Sequence, residues 1–165
     1  MTDEIVTIVD RSNQVVGTRS RSEMRAQRLP HRASFVLVLN SAGEVFVQKR
    51  TASKDIYPGY YEPAAGGVVL AGESYEESAR RELEEELGIR NVALVSHGDF
   101  FFEDSACCIW GRIFSCRYDG EMLLQREEVA SGQFMTAREV SLRSEKELFT
   151  PDSLKALQQY LRLSR

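Results

Sequence analysis

The segment from Gly67 to Gly88, GVVLAGESYEESARRELEEELG, constrains this chain more than any other. Ser74 is a good helix N-cap, and Glu77 three residues later completes a capping box. Gly88 suits the left-handed residue that closes a helix. Between them Ala79, Leu83 and Leu87 recur every four residues, an apolar stripe that should face a sheet. The same helix crowds Glu82, Glu84, Glu85 and Glu86 into its last turn and a half. Like charges at i,i+3 and i,i+4 repel, and the C-terminal end of the helix dipole is itself negative. Either solvent and neighbouring basic side chains relieve that repulsion, or a cation belongs there.

Glu82, Glu85 and Glu86 stand at i, i+3 and i+4. At about 100° per residue they share one side of the helix, off the centre of the apolar stripe. Three converging carboxylates are what a Mg2+ or Mn2+ site needs, since hard divalent cations take oxygen ligands. Arg81 precedes them and could pair with Glu73 or Glu82, keeping a carboxylate charged. Gly66 and Gly67 let the backbone approach a ligand closely, where a carbonyl could complete a coordination shell. A solvated surface helix laced with Arg and Glu would fit the same spacing.

The remaining sequence predicts strands mixed with three or four helices, an α/β or α+β arrangement. Residues 4–10 alternate as a half-buried strand, 11–13 turn, and 14–18 return as a hairpin. A short helix is expected over 22–27, then strands over 33–39 and 44–50, and a long connection over 51–63. Further strands are expected over 92–95, 98–102 and 107–116. Thr136 and Glu139 make a second capping box, and a C-terminal helix runs over 150–163. With 165 residues and no linker or repeat, one domain spanning 1–165 is expected, with 1–30 as an N-terminal hairpin and short helix.

No apolar run approaches the roughly 18 residues that cross a bilayer, and the acidic start lacks the form of a signal peptide. A cytoplasmic protein without a membrane partner is expected. The net charge of −4 argues against a nucleic-acid-binding face. Cys107, Cys108 and Cys116 lie among large apolar residues as buried free thiols, and His31 and His97 are isolated, so a zinc site is not expected.

Gly67, Glu73, Arg81, Glu82, Leu83, Glu85, Glu86, Gly88 and Ile89 together match every fixed position of a known signature over residues 67–89, G-x5-E-x7-R-E-U-x-E-E-x-G-U. The chain thereby resembles the Nudix hydrolases. That resemblance implies an α/β/α sandwich with a mixed central sheet, and Mg2+-dependent hydrolysis (Mn2+ as a substitute) of a nucleoside diphosphate linked to another group. It implies metal ligation by Glu85, Glu86 and the Gly67 carbonyl, and Glu82 as ligand or general base. Glu103 and Glu128 are later candidates for the base, and Arg81 and Glu73 would be orienting partners.

Outside the box, His31-Arg32-Ala33, residues 48–54 (QKRTASK) and Tyr57-Pro58-Gly59 resemble the branch related to isopentenyl-diphosphate isomerase. By that likeness Arg50 and Lys54 would grip a diphosphate. The isomerase's catalytic Cys and a metal-binding His are replaced by Gly66 and Val68, and its later glutamates fall near Cys107 and Ile109. An isomerase of prenyl diphosphates is therefore disfavoured, and a non-catalytic ligand sensor is the other alternative. His31 matches one metal histidine of the isomerase, although a satisfied buried histidine is the simpler reading. Tyr57, Tyr60, Tyr61 and Phe100 to Phe102 could stack a nucleobase or simply pack. Substrate identity and oligomeric state are not encoded in these patterns.

Overall fold

A computed structural model describes residues 3–164. In chain order the elements are β1 (Ile5–Val9), β2 (Val15–Ser20), α1 (Arg21–Gln27), β3 (His31–Leu39), β4 (Val45–Arg50), β5 (Tyr61–Glu62), α2 (Tyr75–Leu87), β6 (Val95–Glu103), β7 (Cys108–Arg117), β8 (Val129–Met135), α3 (Ala137–Ser144) and α4 (Pro151–Leu163). The sheet is mixed. β3 runs parallel to β7 over nine residue pairs, His31↔Ile109 to Leu39↔Arg117. The β1–β2, β3–β4, β4–β8 and β6–β7 pairs are antiparallel.

Two apolar layers sandwich this sheet. On one face Ala79, Leu83 and Leu87 of α2 pack on Val36, Val38, Phe46 and Phe114, so the four-residue stripe lies where its spacing puts it. On the other face Val140 of α3 and Ala156 and Leu157 of α4 cover Phe35, Leu37, Val47 and Ile113. The result is an α/β/α sandwich. β1 and α1 form a smaller cluster in which Val6, Ile8 and Met24 enclose Val68.

Both capping boxes form as expected. Glu77 N–H donates to Ser74 Oγ at 3.1 Å and Ser74 N–H donates to Glu77 Oε1 at 3.0 Å. Thr136 and Glu139 repeat the pattern. Gly88 ends α2 at φ 68°. The three cysteines are free and buried.

Two expectations are corrected. Residues 92–95 and 98–102 are not two strands: a single β6 starts at Val95, with its register shifting between Ser96 and Asp99 around Gly98 at φ 92°. Val92 and Leu94 instead pack against the α2-side core. β8 is not predicted by the sequence, because VASGQFM mixes small and polar residues with apolar ones. Pairing with β4 makes it a strand, and the Phe46 ring covers Gly132, where an added Cβ would sit 2.2 Å from the ring. Among the described residues, no helix is long and apolar enough to cross a membrane.

Candidate active site

The site lies where the sheet opens. Among the described residues β3 and β4 pair at Leu39↔Val45 alone, and toward their other ends they diverge. The segment before α2 enters beside β3, bridged at Val36↔Ala65 and Ala33↔Val68. Gly66 holds φ +140°, and a Cβ there would meet Ser34 O at 2.0 Å, so this approach admits only glycine. At Gly67 a Cβ would come within 2.8 Å of Glu82 Oε1. The glycine pair thus brings backbone against both β3 and the acidic face of α2. The cleft so formed encloses about 110 Å³ and opens to solvent.

Glu82 and Glu85 line this cleft beside Gly66 and Gly67. Arg81 links them: its Nη1 donates to Glu82 Oε1 at 2.9 Å and to Glu85 Oε2 at 3.2 Å. Its other edge makes a two-pronged contact with Glu73, Nε to Oε2 at 2.6 Å and Nη2 to Oε1 at 3.0 Å. Sequence spacing left Glu73 and Glu82 as alternative partners, and the structure joins both. Glu86 is buried at 2 % exposure. It accepts from Gly66 N–H at 2.9 Å and from Gln48 Nε2 at 3.4 Å. The Gly67 carbonyl accepts from Ser34 N–H at 2.9 Å, which leaves a second lone pair.

Burial dominates the electrostatics. It pushes the Glu82 carboxyl up to about 7, aided by Glu85 and Glu128 and opposed by Arg81. Glu86 is driven well above the usual carboxylate range by burial, Glu82 and Glu62, against the Gly66 N–H and Lys54. Burial would also raise Glu73, but Arg81 and the Leu70 N–H hold it below its ordinary value. Negative charge is therefore under-compensated at Glu82 and Glu86, and the donor set is all oxygen. Those properties fit a hard divalent cation. Among the described residues no three acidic, His or Cys side chains already converge on one point as an ion would require. The expected convergence of three carboxylates is thus met in part, because Arg81 draws two of them to itself.

Comparison with known proteins decides the family: the model described as the NUDIX domain matches residues 29–159. The chain belongs to the Nudix family. It is 50% identical over 158 residues to an uncharacterized Nudix hydrolase of Yersinia pestis, covering 96% of this chain and 86% of that protein. It is 49% identical over 154 residues to the uncharacterized Nudix hydrolase YfcD of Escherichia coli, covering 93% and 84%. Among solved structures, a Deinococcus radiodurans protein superposes with a TM-score of 0.83 at 24% identity, covering 94% of this chain and 98% of that one. The NUDIX domain of Shewanella oneidensis NrtR, solved with ADP ribose, gives 0.68 at 13% identity, covering 89% and 100%.

Around this Nudix helix the other sequence-derived residues divide. Arg50 and Lys54 line the cleft. Arg50 donates to Glu62 at 3.1 and 3.3 Å and to the Ile56 carbonyl, and Lys54 Nζ donates to Glu128 Oε2 at 2.9 Å. Glu128 therefore belongs to the cleft. Glu103 does not line it; Arg11 and Arg28 hold its carboxylate in an exposed ion-pair cluster, which argues against a catalytic role. His31 is buried with Nδ1 2.9 Å from the Leu29 carbonyl, a satisfied core histidine at the cleft wall.

Several cleft residues escaped the sequence reading. Arg21 and Arg25 come from α1 and share Asp55, at 3.1 and 3.0 Å. Glu62 comes from the 51–63 connection and Asp152 from the first turn of α4, and they join Cys107 and the stacking candidate Tyr57 in the cleft wall. Only the long connection over 51–63 signalled any of them, through its length and its mix of aromatic and charged residues.

Proposed function

We propose that this chain is a Mg2+-dependent pyrophosphohydrolase, with Mn2+ able to substitute, that cleaves the pyrophosphate bond of a nucleoside diphosphate linked to another moiety. One observation carries the reading: Glu82 and Glu85 of α2 line a single cleft with the cations Arg50 and Lys54, and Glu86 is buried behind Gly66. A cation on one wall and a diphosphate on the other would complete that charge pattern. The ADP ribose bound by the Shewanella domain supports the substrate class.

Glu85, Glu86 and the Gly67 carbonyl would hold the ion. Once bound, a divalent cation neutralises pyrophosphate oxygens and acidifies water. Glu82, which lines the cleft beside Glu85, is placed to accept the proton of the attacking water. Glu128 is the other cleft carboxylate in reach of that role. Arg81, clamped by Glu73, orients Glu82 and Glu85, while Arg50 and Lys54 steady the diphosphate. With a phosphate ester as leaving group, positioning and charge stabilisation can supply most of the acceleration.

The hairpin and α1 ahead of the matched segment support placing the chain in the isopentenyl-diphosphate-isomerase-like branch by architecture. Gly66 and Val68 stand where that chemistry needs a thiol and an imidazole, so hydrolysis is preferred to isomerisation. We take residues 1–165 as one domain acting in the cytoplasm on a small molecule, with no nucleic-acid or membrane partner.

The test is a panel of diphosphate metabolites assayed with Mg2+ and with Mn2+, followed by Glu86→Gln. Turnover of one panel member, abolished by EDTA and reduced on the order of 100-fold in Glu86→Gln with an unchanged circular dichroism spectrum, is expected. Phosphate release that persists in EDTA contradicts the proposal. Binding without turnover across the panel would favour a ligand sensor.

A further inference from the structure

Glu86 differs from the other two glutamates of its helix face in what holds it. Arg81 pairs with Glu82 and Glu85, whereas among the described residues the buried Glu86 forms no ion pair. Its oxygens are held by neutral donors, one each: Oε1 by Gly66 N–H at 2.9 Å, Oε2 by Gln48 Nε2 at 3.4 Å. Two neutral donors on opposite oxygens fix the plane of a carboxylate without cancelling its charge. A lysine or arginine in place of Gln48 would cancel it.

Gln48 is itself 2 % exposed and stands behind the cleft wall rather than in it. The β4–β5 ladder sets it opposite Glu62, and its Nε2 also donates to Glu62 Oε1 at 2.8 Å. Arg50, two residues along the same face of β4, holds Glu62 at 3.1 and 3.3 Å. The amide nitrogen of Gln48 thus spans two carboxylates, which accept and do not donate when ionised, and this orients the amide head. Its Oε1 is left buried with no partner among the described residues. An orphaned acceptor costs stability, and a methionine of similar size would pack there without it. A buried amide kept against that cost has a task beyond filling space.

We infer that Gln48, steadied by Glu62, is a positioning residue for the metal site: it holds the Glu86 carboxylate in the orientation that receives a divalent cation. This rests on the metal-dependent reading above. It adds a β4 residue, outside the signature helix, on which ion affinity depends.

Titration of the full chain with Mn2+ alone, followed by electron paramagnetic resonance of the free and bound ion, tests the inference. Gln48→Met keeps the bulk and removes the donor, and should weaken Mn2+ binding about 10-fold or more. Glu86→Asp supplies the second background, because its carboxylate ends one methylene short of Gln48. There Gln48→Met should cost no more than about twofold, since Gln48 acts through Glu86. Circular dichroism without metal checks the fold of each variant. Gln48→Asn, whose shorter amide cannot span both carboxylates, replaces Gln48→Met with the same expectations if the latter does not fold. Unchanged Mn2+ affinity in the single variant overturns the inference while leaving the metal reading intact. So does an equal loss in both backgrounds, the mark of a merely structural disturbance. A wild type that binds no Mn2+ is a separate outcome, which removes the metal reading and this inference together.

Discussion

Gly66 shows how one position can carry a site without taking part in its chemistry. Its φ of +140° and the 2.0 Å that would separate a Cβ from the Ser34 carbonyl leave no room for another residue. Gly66→Ala should therefore lose about 3 kcal/mol or more in urea denaturation, through backbone strain and displacement of β3. Gly59 is the control: it holds φ +77° with nothing within 4 Å of a Cβ, so Gly59→Ala should cost about 1 kcal/mol. Comparable losses at both positions would refute the steric account. At this scale the sequence was informative wherever chemistry is local. Arg81, Glu82, Glu85 and Glu86 lie on one helix, and helical spacing alone puts them on one side. Asp152 and Arg21 were invisible, because they reach the cleft through topology and carry no motif of their own.

At the scale of elements, what was legible is what is written in short-range signals. The α2 helix begins and ends where Ser74, Glu77 and Gly88 say it should, since caps act over four residues. Its start also positions Glu73, which Arg81 clamps from the second turn. Ser74→Ala should cost about 1 kcal/mol of stability, measured by thermal melting, and the loss should be smaller for Ser74→Gly. β8 was not legible. A strand whose side chains include Ser131, Gly132 and Gln133 exists because β4 offers it a partner across six residue pairs, and no local pattern records that partner. The sequence predicts separate strands over 92–95 and 98–102, whereas the ladder with β7 runs from Val95 and absorbs the interruption at Ser96 and His97 as a bulge.

For the whole molecule, acid stability couples the core to the cleft. His31 is buried, and burial lowers its pKa to about 4 with help from Arg25 and Arg21. A group depressed from 6.5 in the folded state favours folding above 6.5, and its contribution is lost as pH falls toward 4. The shift corresponds to about 3 kcal/mol between those limits. Asp152 acts in the opposite sense: raised from 3.8 to about 6, it destabilises the fold above that value and ceases to do so on acidification. Urea denaturation at pH 7.5 and pH 4.5 should show a smaller acid loss in His31→Asn than in the wild type. An identical loss in both would mean that His31 already carries a proton when folded.

The fold class itself followed from the box and from the alternation of strands and helices, but the cleft is set by where β3 and β4 part, which only the assembled sheet reveals. A last consequence concerns β1. It flanks the segment leading into α2, with Thr7 N–H donating to Val69 O, Ala71 N–H donating to Ile5 O, and Val6 opposite Leu70. The β1 members of these pairs, Ile5, Val6 and Thr7, stand ahead of residue 29, where the family pattern starts. A fragment trimmed to 29–159 would retain each glutamate while stripping the border from the loop that presents them, so the smallest working unit is longer than the stretch by which its kin are recognised.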